Sequence, residues 1–204
     1  MAKDKFRQEV SNFLKNKNAK YAKIKYDMRR MNCAKEWYRY RNPLRMLWTA
    51  FVVEVCRKLP PSEFKNHLYR MIGMKIGKDV TICPDVVIDW LFPELITIED
   101  GVLLGGDLFI AAHEITINEL IIGRIILGKQ SLVASWTVID PGVTLGERSI
   151  VGLFSWVRED VPPYSFVVGV PAKVKKTLDR TVYSKSLEKT DIRSEVMLYK
   201  ESEI

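Results

Sequence analysis

Leu127-Gly-Lys-Gln-Ser-Leu, Val133-Ala-Ser-Trp-Thr-Val, Ile139-Asp-Pro-Gly-Val-Thr, Leu145-Gly-Glu-Arg-Ser-Ile, Val151-Gly-Leu-Phe-Ser-Trp and Val157-Arg-Glu-Asp-Val-Pro follow one another without a gap. The first position of each hexad is Leu, Val or Ile. The second is mostly small, as at Gly128, Ala134, Gly146 and Gly152. The fifth is Ser131, Thr137, Val143, Ser149, Ser155 and Val161. A period of six fits neither an amphipathic helix nor a simple alternating strand. It fits a short strand followed by a tight corner, with the aliphatic and the fifth residue turned inward and the small second residue letting the backbone turn. Three such units close one coil of about 18 residues, and a coil buries its core only by stacking on the next.

Working outward, the frame begins at Ile76-Gly-Lys-Asp-Val-Thr and Ile82-Cys-Pro-Asp-Val-Val. It slips over Ile88-Asp-Trp-Leu-Phe-Pro-Glu-Leu and resumes at Ile98, Leu104 and Ile110. Residues Thr116 to Ile126 break it again and read as a loop or an altered coil leaving the wall. The repeat stops after Val174. Lys175 to about Lys189 reads as a helix, followed by a polar tail. The expected organisation is a basic helical segment over 1–75, the coil over 76–174, and a C-terminal helix and tail over 175–204.

The run Val133 to Val174 resembles the hexapeptide-repeat acyltransferases. The strings that carry the resemblance are Ile139-Asp-Pro-Gly-Val-Thr-Leu-Gly, Asp160-Val-Pro-Pro-Tyr-Ser and Val168-Gly-Val-Pro-Ala-Lys-Val. Within that family the chain resembles O-acetyltransferases of the maltose, galactoside and colanic-acid type, and the resemblance covers about half the chain. The resemblance implies a mainly β fold, a left-handed parallel β-helix, with helices at its N-terminus and C-terminus. Left-handed crossovers depart from the usual right-handed rule, so only the repeat licenses that expectation.

The 204 residues carry a formal charge of +7 that is unevenly placed. Residues 1–78 hold 20 Lys and Arg against 6 Asp and Glu, whereas 79–204 hold 12 against 19. A basic first third suggests an anionic partner or a solvated helical arm. Phe6, Val10, Phe13 and Leu14 have helical spacing, which predicts a helix over Asp4–Lys15. Trp37, Tyr38 and Tyr40, interleaved with Arg39 and Arg41, read best as a cover for the end of the coil. Pro43 opens a strongly apolar helix over Leu44–Leu59, too short for a bilayer span of about 20 residues. It either docks on the coil or lies in a membrane interface beside Arg45, Arg57 and Lys58. Peripheral contact with an anionic membrane through residues 1–60 is therefore one expectation, and no nucleic-acid partner is expected. Ser62 is a cap candidate for a second helix reaching Met71. The three cysteines have no metal-ligand spacing, and no apolar leader is evident, so a cytoplasmic protein is expected.

A prism of this kind has no room inside for a ligand, so chemistry sits on a face or in a groove between copies. His113 is the sole histidine of the repeat; His67 reads as an ordinary surface residue. A histidine takes a proton from an alcohol near neutral pH, and the alcohol then attacks a thioester. The resemblance implies that His113 is catalytic and that the Ser135 N–H holds the oxyanion. It implies that Ala134 and Gly152 let a pantetheine arm approach, and that Arg158 and Lys173 meet the coenzyme's phosphates. Asp89 and Glu114 either bind the acceptor or orient His113. Trp90, Trp136 and Trp156 either stack on rings or pack between subunits.

The expected activity is acetyl transfer from acetyl-coenzyme A to a sugar or polysaccharide-precursor hydroxyl, by a homotrimer with Leu132, Phe154 and Trp156 at its faces. The alternatives are N-acetylation of an amino sugar and a non-catalytic β-helix module. No metal is expected, because the metal-binding relatives of this fold use three histidines and this chain has two.

Overall fold

The computed structural model describes residues 2–27 and 32–178. Helix α1 (Ala2–Lys15) buries Phe6, Val10 and Phe13 on one face. Strand β1 (Tyr21–Lys25) follows. Helix α2 (Pro43–Lys58) starts where Asn42 accepts hydrogen bonds from the backbone N–H groups of Leu44 and Arg45. Helix α3 (Glu63–Met71) is capped by Ser62, whose hydroxyl accepts from the Lys65 N–H. All three helices lie where the apolar spacing, Pro43 and Ser62 place them.

The coil opens with β2 (Lys75–Ile76), β3 (Thr81–Ile82) and β4 (Val87–Ile88). Its second turn is β5 (Ile96–Ile98), β6 (Leu103–Leu104) and β7 (Phe109–Ile110). The chain then leaves as β8 (His113–Ile115) and β9 (Glu119–Gly123). It returns as β10 (Ile125–Leu127), β11 (Leu132–Val133) and β12 (Val138–Ile139). A further turn is β13 (Thr144–Leu145), β14 (Ile150–Val151) and β15 (Trp156–Val157). Strands β16 (Ser165–Gly169) and β17 (Ala172–Thr177) finish the described chain.

Successive strands fall on three walls. Wall one is β2-β5-β10-β13, wall two is β3-β6-β11-β14-β16-β17, and wall three is β4-β7-β12-β15. Every pairing within the walls is parallel except β16 with β17. The registers join first-position aliphatics into ladders. Ile76, Ile98, Leu127 and Leu145 run up wall one. Ile82, Leu104, Val133, Val151 and Val167 run up wall two. Ile88, Ile110, Ile139 and Val157 run up wall three. Nearly all are buried, and Ser131, Thr137, Ser149 and Ser155 are buried beside them at the fifth position. The period of six is thus the period of one wall and one corner.

The corners correct one expectation. The second residue does not make the turn. The left-handed backbone falls at the fourth position, with φ of 55° at Gln130, 54° at Trp136, 53° at Arg148 and 52° at Phe154. Second-position residues are small because coils stack closely there: a Cβ on Gly128 would come within 2.6 Å of the Leu145 carbonyl oxygen. A Cβ on Gly146 would collide with the backbone of Pro163.

Two further expectations change. Residues Thr116 to Ile126 are neither loop nor altered coil throughout. β8 and β9 form an antiparallel hairpin, β1 adds to it as a third strand, and Ile125 is already back on wall one. Arg124 ties this unit down by donating to the carbonyls of Phe13, Asn16 and Ala19, which lie at the C-terminal end of α1 and just beyond it. The helix expected from Lys175 does not start there. Ala172–Thr177 is strand, because the exposed edge of β16 offers hydrogen bonds that a lone turn of helix would lack. The remainder of that expected helix lies outside the described residues.

The open end of the coil is covered by α3, not by residues 37–41. Lys65 is fully buried, and its ammonium donates to the carbonyls of Leu59, Ile82 and Cys83 at 3.0–3.1 Å. Asn66 donates to Val80, and Arg70 to Ile76 and Gly77. These carbonyls border the edge of the first turn, where no further coil follows, and burial without partners is costly. Burial pushes the Lys65 ammonium below the usual lysine range. We expect Lys65→Met to lower stability by about 2–4 kcal/mol, because three carbonyls lose a charged donor. Urea unfolding with an unchanged midpoint would show that the cap does not depend on this lysine.

Candidate active site

Two excursions leave the coil at the same corner, where wall three passes to wall one. The first follows Ile88 and the second follows Ile110, its partner in the next turn. Asp89 sits at the root of the first. Its Oδ1 accepts from the backbone N–H groups of Leu91 (2.8 Å) and Phe92 (3.0 Å), an aspartate turn that folds the chain into a short 3-10 segment over Pro93–Leu95. Its Oδ2 meets His113 Nδ1 at 2.5 Å, where β8 begins the second excursion. The Asp89 side chain is 1% exposed and that of His113 22%. The ring of Phe92 leans on the imidazole at 5.7 Å.

An ionised carboxylate only accepts hydrogen bonds, so Nδ1 carries the proton in this pair. In the neutral ring the lone pair is then on Nε2, which has no partner among the described residues. An imidazole held by one nitrogen and open at the other is the arrangement of an oriented general base.

The brace behind the pair comes from the N-terminal segment. The Arg41 guanidinium lies 4.7 Å from the centre of the Phe92 ring and bonds Glu94 at 2.7 Å. Arg45 reaches the other Glu94 oxygen at 3.5 Å. Trp37 meets Trp90 edge to face at 6.1 Å. Residues 37–41 therefore cover the first excursion beside the site. Phe92, Glu94 and Arg41 were not singled out from sequence as site residues. The frame slip at Ile88–Leu95 marked the place without naming them.

The other candidates are dispersed. Glu114 is exposed, and alternation along β8 turns it away from His113. It lines a cleft of about 430 Å³ with Lys20, Tyr21, Asp140 and Arg158. There Lys20 pairs with Asp160. Arg158 lies 4.4 Å from the Trp156 ring and its Nε is 3.2 Å from Asp140. Lys173 is exposed and pairs with Glu159 at 3.2 Å. Gly152 is buried, and a Cβ there would meet Val168 Cγ2 at 2.8 Å, so a small residue is required by the packing of β16 on the coil. Ala134 and Ser135 are half-buried at the corner between walls two and three. The Ser135 N–H makes no hydrogen bond among the described residues, but neither do those of Gly106 and Leu153 at equivalent corners. Within one chain this corner and the Asp89–His113 corner stand at opposite ends of wall three, roughly 15 Å apart along extended chain.

Trp136 and Phe154 stack at 4.9 Å with planes 6° apart, on the wall-two to wall-three corner, and both are more than half exposed. Among the described residues no group of three or more His, Cys, Asp or Glu is placed to hold a metal ion.

No protein-family model matches the chain. It is 33% identical over 141 residues to "Putative acetyltransferase YvoF" of Bacillus subtilis (strain 168), which covers 68% of this chain and 82% of that protein. It is 29% identical over 142 residues to "Putative acetyltransferase SAR0816" of Staphylococcus aureus (strain MRSA252), covering 68% and 88%. In structure it is similar to the hexapeptide-repeat acetyltransferase VCA0836 of Vibrio cholerae O1 biovar eltor, complexed with acetyl-coenzyme A. The TM-score is 0.58 at 23% identity, over 67% of this chain and 88% of that one. It is also similar to a galactoside acetyltransferase in complex with coenzyme A, with a TM-score of 0.54 at 22% identity over 69% and 84%.

Proposed function

This chain belongs to the acetyltransferase family of its Bacillus relative, built on the hexapeptide-repeat fold, and from that premise we propose that it moves an acetyl group from acetyl-coenzyme A to a sugar hydroxyl, with His113 as the general base. Membership in an enzyme family sets aside the non-catalytic module. The observation that carries the mechanism is the Asp89–His113 pair, buried on the carboxylate side and open at Nε2. Asp89 orients the ring and His113 takes the acceptor's proton. The acceptor oxygen attacks the thioester carbon, the oxyanion forms near a backbone N–H, and the thiolate leaves with a proton returned by His113. Asp89, whose oxygens are taken by the Leu91 and Phe92 N–H groups and by His113, is assigned to orientation and not to acceptor binding. Part of the same reading is a left-handed coil over 76–174, a helical unit over 1–75 and a tail over 175–204, in a cytoplasmic enzyme.

Ser135 is assigned as oxyanion donor, but its corner is remote from His113 in the same chain. The assignment therefore requires a second copy to bring that corner to the dyad, and a threefold assembly does so at three equivalent sites. The exposed side chains of Leu103, Phe109, Trp136, Leu153 and Phe154 support this, since an apolar ridge of that extent calls for cover. Light scattering is expected to give three times the chain mass. A stable monomer that turns over acceptor would contradict both the trimer and the role of Ser135.

Arg158 and Lys173 fit coenzyme phosphates by charge and exposure, Arg158 leaving the half-buried Asp140 and Lys173 the exposed Glu159 for phosphate. Arg158→Ala and Lys173→Ala are expected to raise the KM for acetyl-coenzyme A by roughly tenfold with kcat nearly unchanged. An unchanged KM in both would remove them from the coenzyme site.

The activity is tested by incubating the protein with acetyl-coenzyme A and a panel of neutral and amino sugars while free thiol is measured. Sugar-dependent thiol release with an alkali-labile ester product is expected. An alkali-stable amide would move the assignment to N-acetylation, and no thiol release with any sugar would sink the acceptor class.

A further inference from the structure

Helix α2 presents two faces with opposite fates. Met46, Thr49, Val52, Val53 and Cys56 are buried, so the helix is fixed in place and in rotation. On the outer side Leu44, Leu47, Trp48, Phe51 and Val55 are 78%, 65%, 45%, 61% and 39% exposed. Their spacing of three and four residues makes one continuous stripe along the helix. Trp48 and Phe51 stack on each other at 6.2 Å within it. Nothing in the catalytic reading uses this stripe, and it is separate from the Trp136–Phe154 ridge on the coil wall.

We propose that the α2 stripe docks the enzyme on an anionic lipid surface, lying in the interface and not crossing it. No helix among the described residues is long and apolar enough to cross a membrane. Three observations select lipid over a second copy. Basic residues stand at both ends of the stripe, Arg45 at the start and Lys58 at the finish, each about half exposed or more beside the carboxylate it pairs with, Glu94 and Asp85. Because both ends carry a cation, either orientation of two such helices would set cation against cation, whereas an anionic surface answers both ends. The stripe lies within the chain's basic segment, whose 78 residues hold 20 Lys and Arg against 6 Asp and Glu. The stripe is also a row of large apolar and aromatic side chains with basic ends, the composition of helices that lie at a lipid interface.

The stripe stands near the site, since Arg45 and Arg41 both bond Glu94, Arg41 lies over Phe92 and Phe92 leans on His113. Taken with the proposed function, on which this step rests, the acceptor is then one presented at a membrane. The test uses the full chain and vesicles of phosphatidylcholine with or without phosphatidylglycerol. Co-sedimentation is expected with the anionic vesicles, weakening at high salt, with a blue shift in tryptophan emission that Trp48→Phe removes. The Leu47→Glu/Phe51→Glu double variant, altered only at exposed positions, should bind at least roughly tenfold more weakly. Its oligomer mass and its turnover of a soluble acceptor should match the unaltered protein, which reports on folding and on the chemistry separately. Binding unaffected by the double change would place lipid contact elsewhere and overturn the proposal. So would an absence of binding at low salt, or a loss of oligomer mass in the variant, which would put a second copy on the stripe.

Discussion

His113→Ala is expected to lower kcat for acyl transfer by roughly 10²–10⁴-fold, the range for loss of a general base. The reason is chemical. A sugar hydroxyl is a poor nucleophile until its proton leaves, and the described coil holds no second imidazole. His113 is partly exposed, but its truncation leaves the buried Asp89 Oδ2 without a partner, so stability falls as well and urea unfolding is measured beside the kinetics to show that the variant is folded. The KM for acetyl-coenzyme A should stay within a fewfold, because Arg158 and Lys173 lie in later turns of the coil. Steady-state kinetics with thiol detection reads both constants. An alanine variant with unaltered kcat would end the role of His113.

Asp89→Asn is the second large effect and is expected to be of comparable size, roughly 10²–10⁴-fold. One oxygen of Asp89 already accepts from the N–H groups of Leu91 and Phe92, so the asparagine carbonyl will occupy that position. Its amide then faces His113 as a donor, and Nδ1 must accept. The ring proton moves to Nε2, where the base is needed, and the imidazole can no longer take a proton there. The same substitution keeps volume and the turn, so the fold should survive. Equal rates for Asp89→Asn and the unaltered enzyme would mean that the carboxylate has no part in setting the tautomer.

Much of the coil is legible from residue type alone. The aliphatics at Ile76, Ile98, Leu127 and Leu145 read as one column because each coil repeats the same inward positions. The reason for the small second residue was not legible. It depends on a backbone one coil away, as at Gly128 beneath Leu145, and no local pattern reports that separation. The pairing of Asp89 with His113 was half visible. Both frame breaks show in the sequence, but their meeting depends on both falling after wall three in adjacent turns. β1 was hidden because Tyr21-Ala-Lys-Ile-Lys has a single strongly buried residue, Ile24, and takes its strand form from β9. At Lys175–Thr177 the edge of β16 overrides a helical reading, an instance of tertiary context outweighing local preference. The N-terminal cover was placed correctly on the coil but at the wrong spot. Residues 37–41 guard the site, and α3 closes the end.

The central claim is that Asp89 and His113 act as one unit. It is tested most directly by kcat/KM for acyl transfer in His113→Ala, Asp89→Asn and the double variant, measured side by side under one set of conditions. If the carboxylate works only through the imidazole, the double variant will be no slower than His113→Ala alone, because the second change has nothing left to disturb. Losses that multiply in the double variant would show the two side chains acting separately and would contradict the dyad.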